Sequence, residues 1–348
     1  MAAKEINNRL DEIRAMALNI YMEQSAVRDG VTAEEVKGIL LGMASGQETL
    51  LGYFRRFIRN FEKRVGINRT VGSLRAYSNA YSHIERFLQA QYKLSDIPFS
   101  ALDRSFIDKY DLYLRTERNL APGTIINLTV QLKTIVGEAI ADGIITASPF
   151  MGYEPVRPKH VQKYLTAEEL HRIMTTPLHR QPLYHVRDMF LFSCFTGIPY
   201  GDMRLLTKDN LCLAEDGIWW IKSARQKTKI EFEIPLLDLP LQILKKYSGT
   251  APGDKLLPMY CNSTLNLYLK EIARICHIDR PLVFHAGRHT YATEITLSHG
   301  VPLETVSRML GHSQIETTQI YAKVTDEKID ADTKALNRKI SERFSVVI

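Results

Sequence analysis

Apolar residues in most of the chain recur every three or four positions, the spacing of a helix that is buried along one face. The pattern is most regular over residues 48–147, where it predicts a bundle of four helices. The first helix carries an aromatic stripe, and the other three cover 71–91, 103–118 and 124–141. Aromatic side chains are usually buried, so we expect this stripe to pack in the core. The stripe consists of Tyr53, Phe54, Phe57, Ile58 and Phe61.

The chain begins with a segment, residues 1–47, for which helices are predicted but no core of its own. Thr32 begins one of these helices, because Glu35 stands three residues later at the position of a capping box. An earlier helix is predicted over 4–28 from a stripe at helical spacing. This stripe consists of Ile6, Leu10, Ile13, Ala17 and Ile20. We interpret the segment as a helical lead-in to the bundle.

A second domain is predicted over residues 165–348, after a linker over 148–164 that contains three prolines. Its apolar spacing predicts helices from Thr166 and over 186–196, 241–247 and 265–277. Residues 217–235 change to the two-residue period of strands, which predicts two strands joined through Lys222 to Lys229. The predicted fold class is therefore mainly α with a small β-sheet, a helical bundle followed by an α+β domain.

Composition and charge narrow the class of protein without deciding it. Hydrophobic residues make up 45% and charged residues 24% of the chain, as is usual for globular proteins. No run approaches the roughly 18 apolar residues of a membrane span, and the N-terminus lacks a signal-peptide pattern, so we expect a cytoplasmic protein without membrane contact. The four cysteines show no zinc-ligand spacing, so we expect no metal site. The net charge of +6 is compatible with nucleic-acid binding.

Two groups of basic residues are candidates for contacts with phosphates. The first group surrounds the aromatic stripe and consists of Arg55, Arg56, Arg59 and Lys63. The second group, Arg157 and Lys159, lies in the predicted linker. Basic side chains that face DNA neutralise its backbone phosphates. The alternative for both groups is an ordinary solvated surface.

The most distinctive pattern lies between residues 285 and 321, where histidine, arginine and tyrosine recur at short intervals. His285 and Arg288 are three residues apart, so a helix places both on one face. Gly300 is predicted to end this helix, since glycine readily takes the backbone conformation of a C-terminal cap. An imidazole and a guanidinium on one face suit chemistry on a phosphodiester.

The following helix is predicted to end at Gly311, which displays His312 at the helix end. Ser313 and Glu316 then predict a capping box for a further helix, with Tyr321 two turns along it. Each of these residues taken alone has an ordinary structural explanation. Taken together, the stretch holds two imidazoles, a guanidinium and a phenol at short spacing.

This joint pattern resembles the catalytic signature of the tyrosine recombinases, the phage-type integrase family. The signature is His-x-x-Arg, then Leu-Gly-His, then a tyrosine about nine residues later. It is matched here by His285-Ala-Gly-Arg288, Leu310-Gly311-His312 and Tyr321. The resemblance covers residues 48–348 and implies a SAM-like core-binding bundle before the catalytic domain.

The resemblance implies a site-specific recombinase that cleaves double-stranded DNA through a covalent 3′-phosphotyrosine at Tyr321 and rejoins it by reversal. Arg288 and His312 are implied to stabilise the phosphate oxygens, and His285 is the implied base. Because the ester conserves the energy of the broken bond, no cofactor is expected. The implied partners are attachment-site DNA, further copies of the chain in a tetramer, and an accessory directionality factor.

The resemblance also implies a catalytic lysine on the turn of a β-hairpin, where it protonates the departing DNA oxygen. Lys227 occupies that place. Lys222 and Lys229 are nearby and are the competing candidates.

One part of the family pattern is missing. The first catalytic arginine normally stands in Thr-Gly-x-Arg, but here Thr196-Gly197-Ile198 is followed by Pro199, which has neither charge nor donor. Arg225 precedes Lys227 by two residues, so a strand directs both side chains to one face. We hypothesise that Arg225 supplies the missing charge, while Arg204 is expected to face elsewhere.

The same replacement resembles integrases of conjugative and mobilisable elements in Bacteroidetes. Residues 226–228, 234–237 and 317–323 are similar to that branch as well. Integration and excision of a mobile element is therefore the function that we predict. Pro199 keeps a second interpretation open, a catalytically weakened DNA-binding protein of the same fold. A third is a type IB topoisomerase, which shares the chemistry.

Both ends of the chain have two interpretations. Residues 1–47 are either the helical lead-in described above or the end of an arm-binding region that continues upstream. A helix predicted over 326–344 either docks on a neighbouring protomer, as the resemblance implies, or closes the core of its own domain.

Overall fold

The computed structural model of the chain describes residues 2–27, 48–157 and 163–321, together with single positions between 31 and 40 and between 330 and 340. It divides into two compact units, Met1–His160 and Val161–Ile348, called here the bundle unit and the sheet unit. Lys159 and most of the helices predicted from Thr32 and over 326–344 lie outside the described residues. Within the described part of the chain, no helix is long and apolar enough to cross a membrane.

The first helix, α1 (Ala2–Val27), forms where a helix was predicted, but most of its apolar stripe is not covered. Ile20 is buried, whereas Ile6, Leu10 and Ile13 are all exposed. The stripe at helical spacing predicted the helix, and no core of its own was predicted for this segment. Only the C-terminal part of α1 contacts the bundle, beside the turn Leu88–Tyr92, so only that part of the face is buried.

The bundle consists of α2 (Leu50–Glu62), α3 (Val71–Phe87), α4 (Arg104–Thr116) and α5 (Pro122–Ala141). The four predicted helices are thus confirmed, with shifted ends. A π-helical turn, Leu88–Tyr92, extends α3. The prediction that α5 begins at Thr124 was wrong by two residues, because proline fits the first turn of a helix without needing a partner for its missing N–H.

The aromatic stripe packs in the bundle core, as predicted. Tyr53, Phe54 and Phe61 are buried, and the Phe54 ring meets the Tyr81 ring edge-on at 5.8 Å. The Asp96 carboxylate satisfies the backbone N–H groups at the start of α2. It accepts hydrogen bonds from those of residues 51 and 52 at 2.8 and 3.0 Å.

The first part of the predicted linker belongs to the bundle. Phe150 is buried in the bundle core, and the Tyr153 hydroxyl donates a hydrogen bond to Asp111 at 2.7 Å. The prediction of a linker beginning at residue 148 was too early.

The sheet unit begins with α6 (Ala167–Thr175), whose predicted capping box between Thr166 and Glu169 is present. The central helix α7 (Gln181–Thr196) begins five residues before its predicted start and is buried along much of its length. Gly197 ends it with a backbone φ of +69°. A short helix, α8 (Tyr200–Met203), follows directly.

Three antiparallel strands form the sheet in the order β1–β2–β3. They are β1 (Leu211–Leu213), β2 (Trp219–Ala224) and β3 (Glu231–Pro235). Two strands were predicted, and β1 was missed because three residues are too few to show an alternation. Lys222 lies within β2, where it pairs with Glu233 at 3.2 Å, and not on the turn.

Further helices follow the sheet along the chain. They are α9 (Asp238–Lys246), α10 (Asn262–Ile275), α11 (Ala286–Thr290), α12 (Leu303–Leu310) and α13 (Glu316–Gln319). A π-helical segment, Tyr291–Thr296, and a 3₁₀ turn, Leu297–His299, extend α11. Both α10 and α11 pack on α7, so the helix predicted to be buried is the centre of this unit.

Candidate active site

The stretch predicted to carry chemistry folds into α11, α12 and α13 around one buried arginine. Gly300 and Gly311 end their helices with φ of +80° and +64°, as predicted. The predicted capping box of Ser313 and Glu316 is absent, because α13 begins after Ile315 without a side-chain cap. Tyr321 therefore follows the end of this short helix instead of lying two turns along it.

Arg288 is the centre of the site, with only 3% of its surface exposed. Its guanidinium donates to the carbonyl oxygens of Gly197 and Leu310 at 2.9 and 2.6 Å. Nη2 also lies 2.8 Å from His312 Nε2. Burial, together with the nearby charge of Arg225, lowers the pKa of Arg288 to about 10, so the group stays charged at neutral pH. A fixed cation thus stands where three segments of the chain meet.

His312 has its two ring nitrogens committed to different partners. Because a guanidinium can only donate, Nε2 accepts from Arg288 and Nδ1 carries the proton, an assignment made from this bonding pattern. Nδ1 then donates to the Thr318 hydroxyl at 2.7 Å. Burial and the adjacent guanidinium groups lower the pKa of His312 to about 4. The ring is therefore neutral at physiological pH.

Tyr321 is buried against this group, with 7% of its surface exposed. Its ring lies nearly parallel to the His312 ring, with centroids 6.3 Å apart and planes 11° apart. Burial raises the pKa of the phenol, while Arg288 and Arg225 act in the opposite direction. Two cations thus favour the phenolate in a place where burial alone would disfavour it.

Arg225 reaches the same place from the end of β2. Its Nε lies 2.6 Å from the Asp202 carboxylate, and its Nη1 donates to the Leu310 carbonyl oxygen at 2.9 Å. Its charge also helps to lower the pKa of both His285 and His312. The structure therefore brings the hypothesised replacement cation into the site.

Gly311 is needed for this approach of Arg225. A side-chain Cβ at position 311 would lie 2.9 Å from Arg225 Cγ and 3.3 Å from Phe232 Cβ. Such contacts are too short, and the φ of +64° is itself strained for residues with a side chain. The glycine of the Leu-Gly-His motif thus serves both the helix end and the guanidinium.

Pro199 and Arg204 take no direct part in this group of contacts. Pro199 precedes α8 with extended backbone. Arg204 is exposed, and its guanidinium lies over the Tyr200 ring at 6.0 Å from the centroid. The expectation that Arg204 faces elsewhere is confirmed.

Lys227 lies on the turn between β2 and β3, as predicted, and is exposed. It makes no ion pair with any residue that the structure describes. Lys229, two residues later, has a left-handed backbone with φ of +60°. Lys227 is thus the lysine of the turn itself, whereas Lys222 is engaged in the strand.

His285 precedes α11 at the rim of the site and is exposed. Desolvation and the neighbouring guanidinium groups lower its pKa. Its ring contacts the His289 ring at 4.9 Å, and His289 in turn contacts the Tyr321 ring at 5.1 Å. Sequence reasoning missed His289, although its spacing of four residues from His285 on a helix was a usable signal. It also missed Asp202 and Thr318, for which the sequence offers no such signal.

The basic residues predicted to contact DNA differ in their surroundings. Arg55 donates to the Tyr81 hydroxyl at 2.5 Å, and Arg56 pairs with Glu48 at 2.6 Å. Arg59, Lys63 and Arg157 are exposed. Two of the five described candidates are therefore held in fixed orientations by the bundle itself.

In the described part of the chain, no group of three or more His, Cys, Asp or Glu side chains could hold a metal ion.

A buried tyrosine beside two guanidinium groups and neutral imidazoles suits the transfer of a phosphodiester to a phenol. Comparison with known families agrees with this class of site. Residues 163–328 match the phage integrase family, and residues 49–155 match the phage integrase SAM-like domain. The chain belongs to the phage integrase family and is a site-specific tyrosine recombinase.

Individual relatives are similar over most of the chain. Tyrosine recombinase XerD of Listeria monocytogenes is 26% identical over 273 residues, which cover 74% of this chain and 89% of the relative. A structure of the Tn1549 transposon integrase with transposon right end DNA has a TM-score of 0.64 at 19% identity, over 83% of this chain and 99% of that one. A lambda integrase tetramer bound to a Holliday junction has a TM-score of 0.64 at 17% identity, over 81% of this chain and 80% of that one. These structural likenesses concern the fold.

Proposed function

We propose that this recombinase is the integrase of a mobile element and that Tyr321 is its nucleophile. The observation that carries the proposal is the position of Tyr321 beside His312, within the electrostatic influence of Arg288 and Arg225. The Tyr321 oxygen forms a bond to the scissile phosphorus, and the bond from phosphorus to the 5′ oxygen breaks. The products are a 3′-phosphotyrosine and a free 5′-hydroxyl, and reversal on a second strand completes the exchange.

Arg288 and Arg225 stabilise the negative charge that builds up on the non-bridging oxygens. Arg288 is fixed by two carbonyl oxygens and Arg225 by Asp202 and one of the same carbonyls, so neither has to reorganise during the reaction. In this proposal Arg225 replaces the arginine that Pro199 displaces. His312 completes the group, but its Nε2 accepts from Arg288 here. It can donate to a phosphate only after that contact is exchanged and Nε2 gains a proton.

Two proton transfers accompany the cleavage. In this proposal His285, at the rim of the site, is the base that takes the phenol proton of Tyr321, and His289 relays no proton. The 5′ oxygen gains a proton from Lys227, whose ammonium makes no ion pair with the described residues. Neither a metal ion nor a cofactor takes part in this scheme.

The proposed partner is double-stranded attachment-site DNA. The bundle unit offers the basic group Arg55, Arg56, Arg59 and Lys63, and Arg157 is an exposed basic residue near the end of the same unit. We extend the proposal to Lys159, to a tetramer of the chain on two duplexes, and to an accessory directionality factor. The replacement at Pro199 and the stretches 226–228, 234–237 and 317–323 support an origin among mobile elements of Bacteroidetes.

The test is covalent capture on DNA that carries the att-like repeats flanking the gene. A nick a few nucleotides 3′ of the cleavage site lets the short fragment with the new 5′-hydroxyl diffuse away, so that the 3′-phosphotyrosine accumulates as an SDS-resistant adduct. Tyr321→Phe removes the adduct, whereas Tyr260→Phe, a change at an exposed tyrosine of the same unit, keeps it. Site-specific binding without any adduct would identify a weakened DNA-binding protein. Relaxation of supercoiled DNA without site preference would identify a topoisomerase.

A further inference from the structure

The ring that contacts Tyr321 from α11 is His289, not His285. The centroids of His289 and Tyr321 are 5.1 Å apart, with planes at 64°, an edge-to-face contact. His289 also makes an edge-to-face contact with His285, with ring centroids 4.9 Å apart and planes at 85°. The three rings therefore form a row in which His289 is the middle member.

The surroundings of His289 keep its ring uncharged. It is half-buried directly after Arg288 in the sequence, and Lys163 and His285 are also close enough to influence it. Burial, followed by these neighbours, lowers the pKa of His289 to about 4. A protonated ring here would be repelled by Arg288. A neutral ring packs beside Arg288 without disturbing the two guanidinium groups that are proposed to bind the phosphate.

The helix before Tyr321 does little to fix its orientation. It follows α13, which is only four residues long, and the predicted capping box that would have anchored that helix is absent. Its ring lies against the rings of His312 and His289, within a small apolar cluster that includes Val306 and Leu310, and its hydroxyl shares a hydrogen bond with Arg288. The two histidine rings therefore set the plane of the Tyr321 ring, whereas the bond with Arg288 acts on its hydroxyl.

We propose that His289 is a positioning residue for the nucleophile, its flat ring holding the Tyr321 ring in line with the clamp formed by Arg288 and Arg225. This inference rests on the proposed function of Tyr321. In this role His289 acts through the packing of its flat ring, and its ring nitrogens take no part in the chemistry. A nucleophile displaced by ~1 Å loses about 10²-fold in rate, which sets the size of the expected effect.

The experiment measures the rate of the covalent adduct on nicked attachment-site DNA at saturating protein, together with DNA affinity and thermal unfolding. We expect His289→Phe to cleave at a rate close to that of the wild type, because it keeps a planar ring. We expect His289→Ala and His289→Leu to lose about 10²-fold in the cleavage rate with unchanged DNA affinity. If the alanine variant does not fold, the leucine variant, which keeps most of the volume, carries the comparison.

A matched control exists in the same unit. His185 is also half-buried, and its ring contacts two tyrosines, Tyr247 and Tyr260, at 5.2 and 4.6 Å. His185→Ala removes an equivalent packing contact away from the site, so we expect it to change thermal unfolding but not the rate of cleavage by the folded protein.

A substrate with sulfur in place of the 5′ bridging oxygen separates positioning from proton donation. A thiolate departs without a proton, so this substrate relieves a defect in the general acid. The defect of His289→Ala must persist on it. Failure of His289→Phe at the level of His289→Ala would overturn the inference, because a ring nitrogen would then be required. Full activity of His289→Ala would overturn it as well. Absence of any adduct from the wild type would instead refute the proposed function and this inference with it.

Discussion

Arg225 and Arg288 donate hydrogen bonds to one acceptor, the carbonyl oxygen of Leu310, at 2.9 and 2.6 Å. Two guanidinium groups repel each other at this separation unless a negative group compensates. Asp202 provides that compensation, 2.6 Å from Arg225 Nε. The pair is therefore held together before any phosphate binds.

Arg225→Ala is expected to slow cleavage by about 10²–10³-fold, the usual effect of losing one donor to a developing oxyanion. Arg204→Ala is the matched control and is expected to leave the rate unchanged, because its guanidinium is exposed over Tyr200. The measurement is the rate of adduct formation on nicked attachment-site DNA. The replacement hypothesis is wrong if Arg225→Ala cleaves normally while Arg204→Ala is inactive.

Gly311→Ala is expected to reduce both stability and cleavage, since its Cβ would lie 2.9 Å from Arg225 Cγ. Gly217→Ala is the control, with a similar positive φ of +81° and no atom within 4 Å of the added Cβ. The control is expected to lose about 1–2 kcal/mol of stability, from backbone strain alone, and to keep its activity. Urea unfolding and adduct rates test both variants. Equal losses in the two would show that the contact with Arg225 is unimportant.

The stability of the sheet unit is expected to fall as the pH is lowered from about 6.5 to about 4. His289 and His312 have pKa values of about 4 in the folded chain, while unfolded histidines titrate near their ordinary value of 6.5. Between these values the unfolded state binds more protons, so acid favours unfolding. Each such histidine contributes a slope of up to about 1.4 kcal/mol per pH unit.

His289→Phe removes one of the two groups, so its stability is expected to depend less steeply on pH than that of the wild type. His171→Phe, at an exposed histidine, serves as the control and is expected to keep the wild-type slope. Denaturant unfolding at several pH values measures both. A slope unchanged by His289→Phe would contradict the assignment of a neutral, buried ring at this position.

Lys227→Met is expected to slow cleavage of ordinary DNA by about 10²–10⁴-fold and to recover most of the rate on the substrate with a 5′ bridging sulfur. Lys222→Met is the matched control, since Lys222 is engaged with Glu233 within the sheet. Lys229→Met tests the remaining candidate on the turn. Recovery by sulfur in Lys229→Met, and not in Lys227→Met, would transfer the role of the acid to Lys229.

Local pattern was a reliable guide at several helix ends and along the aromatic stripe of α2. The capping box at Thr166, the helix ends at Gly300 and Gly311, and the buried aromatic stripe of α2 all formed as predicted. It was less reliable for short elements. Both β1 and α13 are too short to show a period, and packing against neighbours decides where they begin and end.

The sequence by itself determined which chemical groups are available and which local elements carry them. Spacing along the chain placed His285, Arg288, His312 and Tyr321 in one stretch and Lys227 on a hairpin turn. It also revealed that Pro199 leaves the family pattern one cation short.

Only the tertiary structure decided how those groups meet. Arg288 is bonded to a carbonyl 91 positions earlier, and Arg225 to one 85 positions later, which no helical or strand period can encode. The insertion of His289 between His285 and Tyr321 likewise depends on how α11 packs against the segment after α13. Contacts of this kind arise when separate helices and strands share one core. Their partners are chosen by shape and burial, and not by position along the chain.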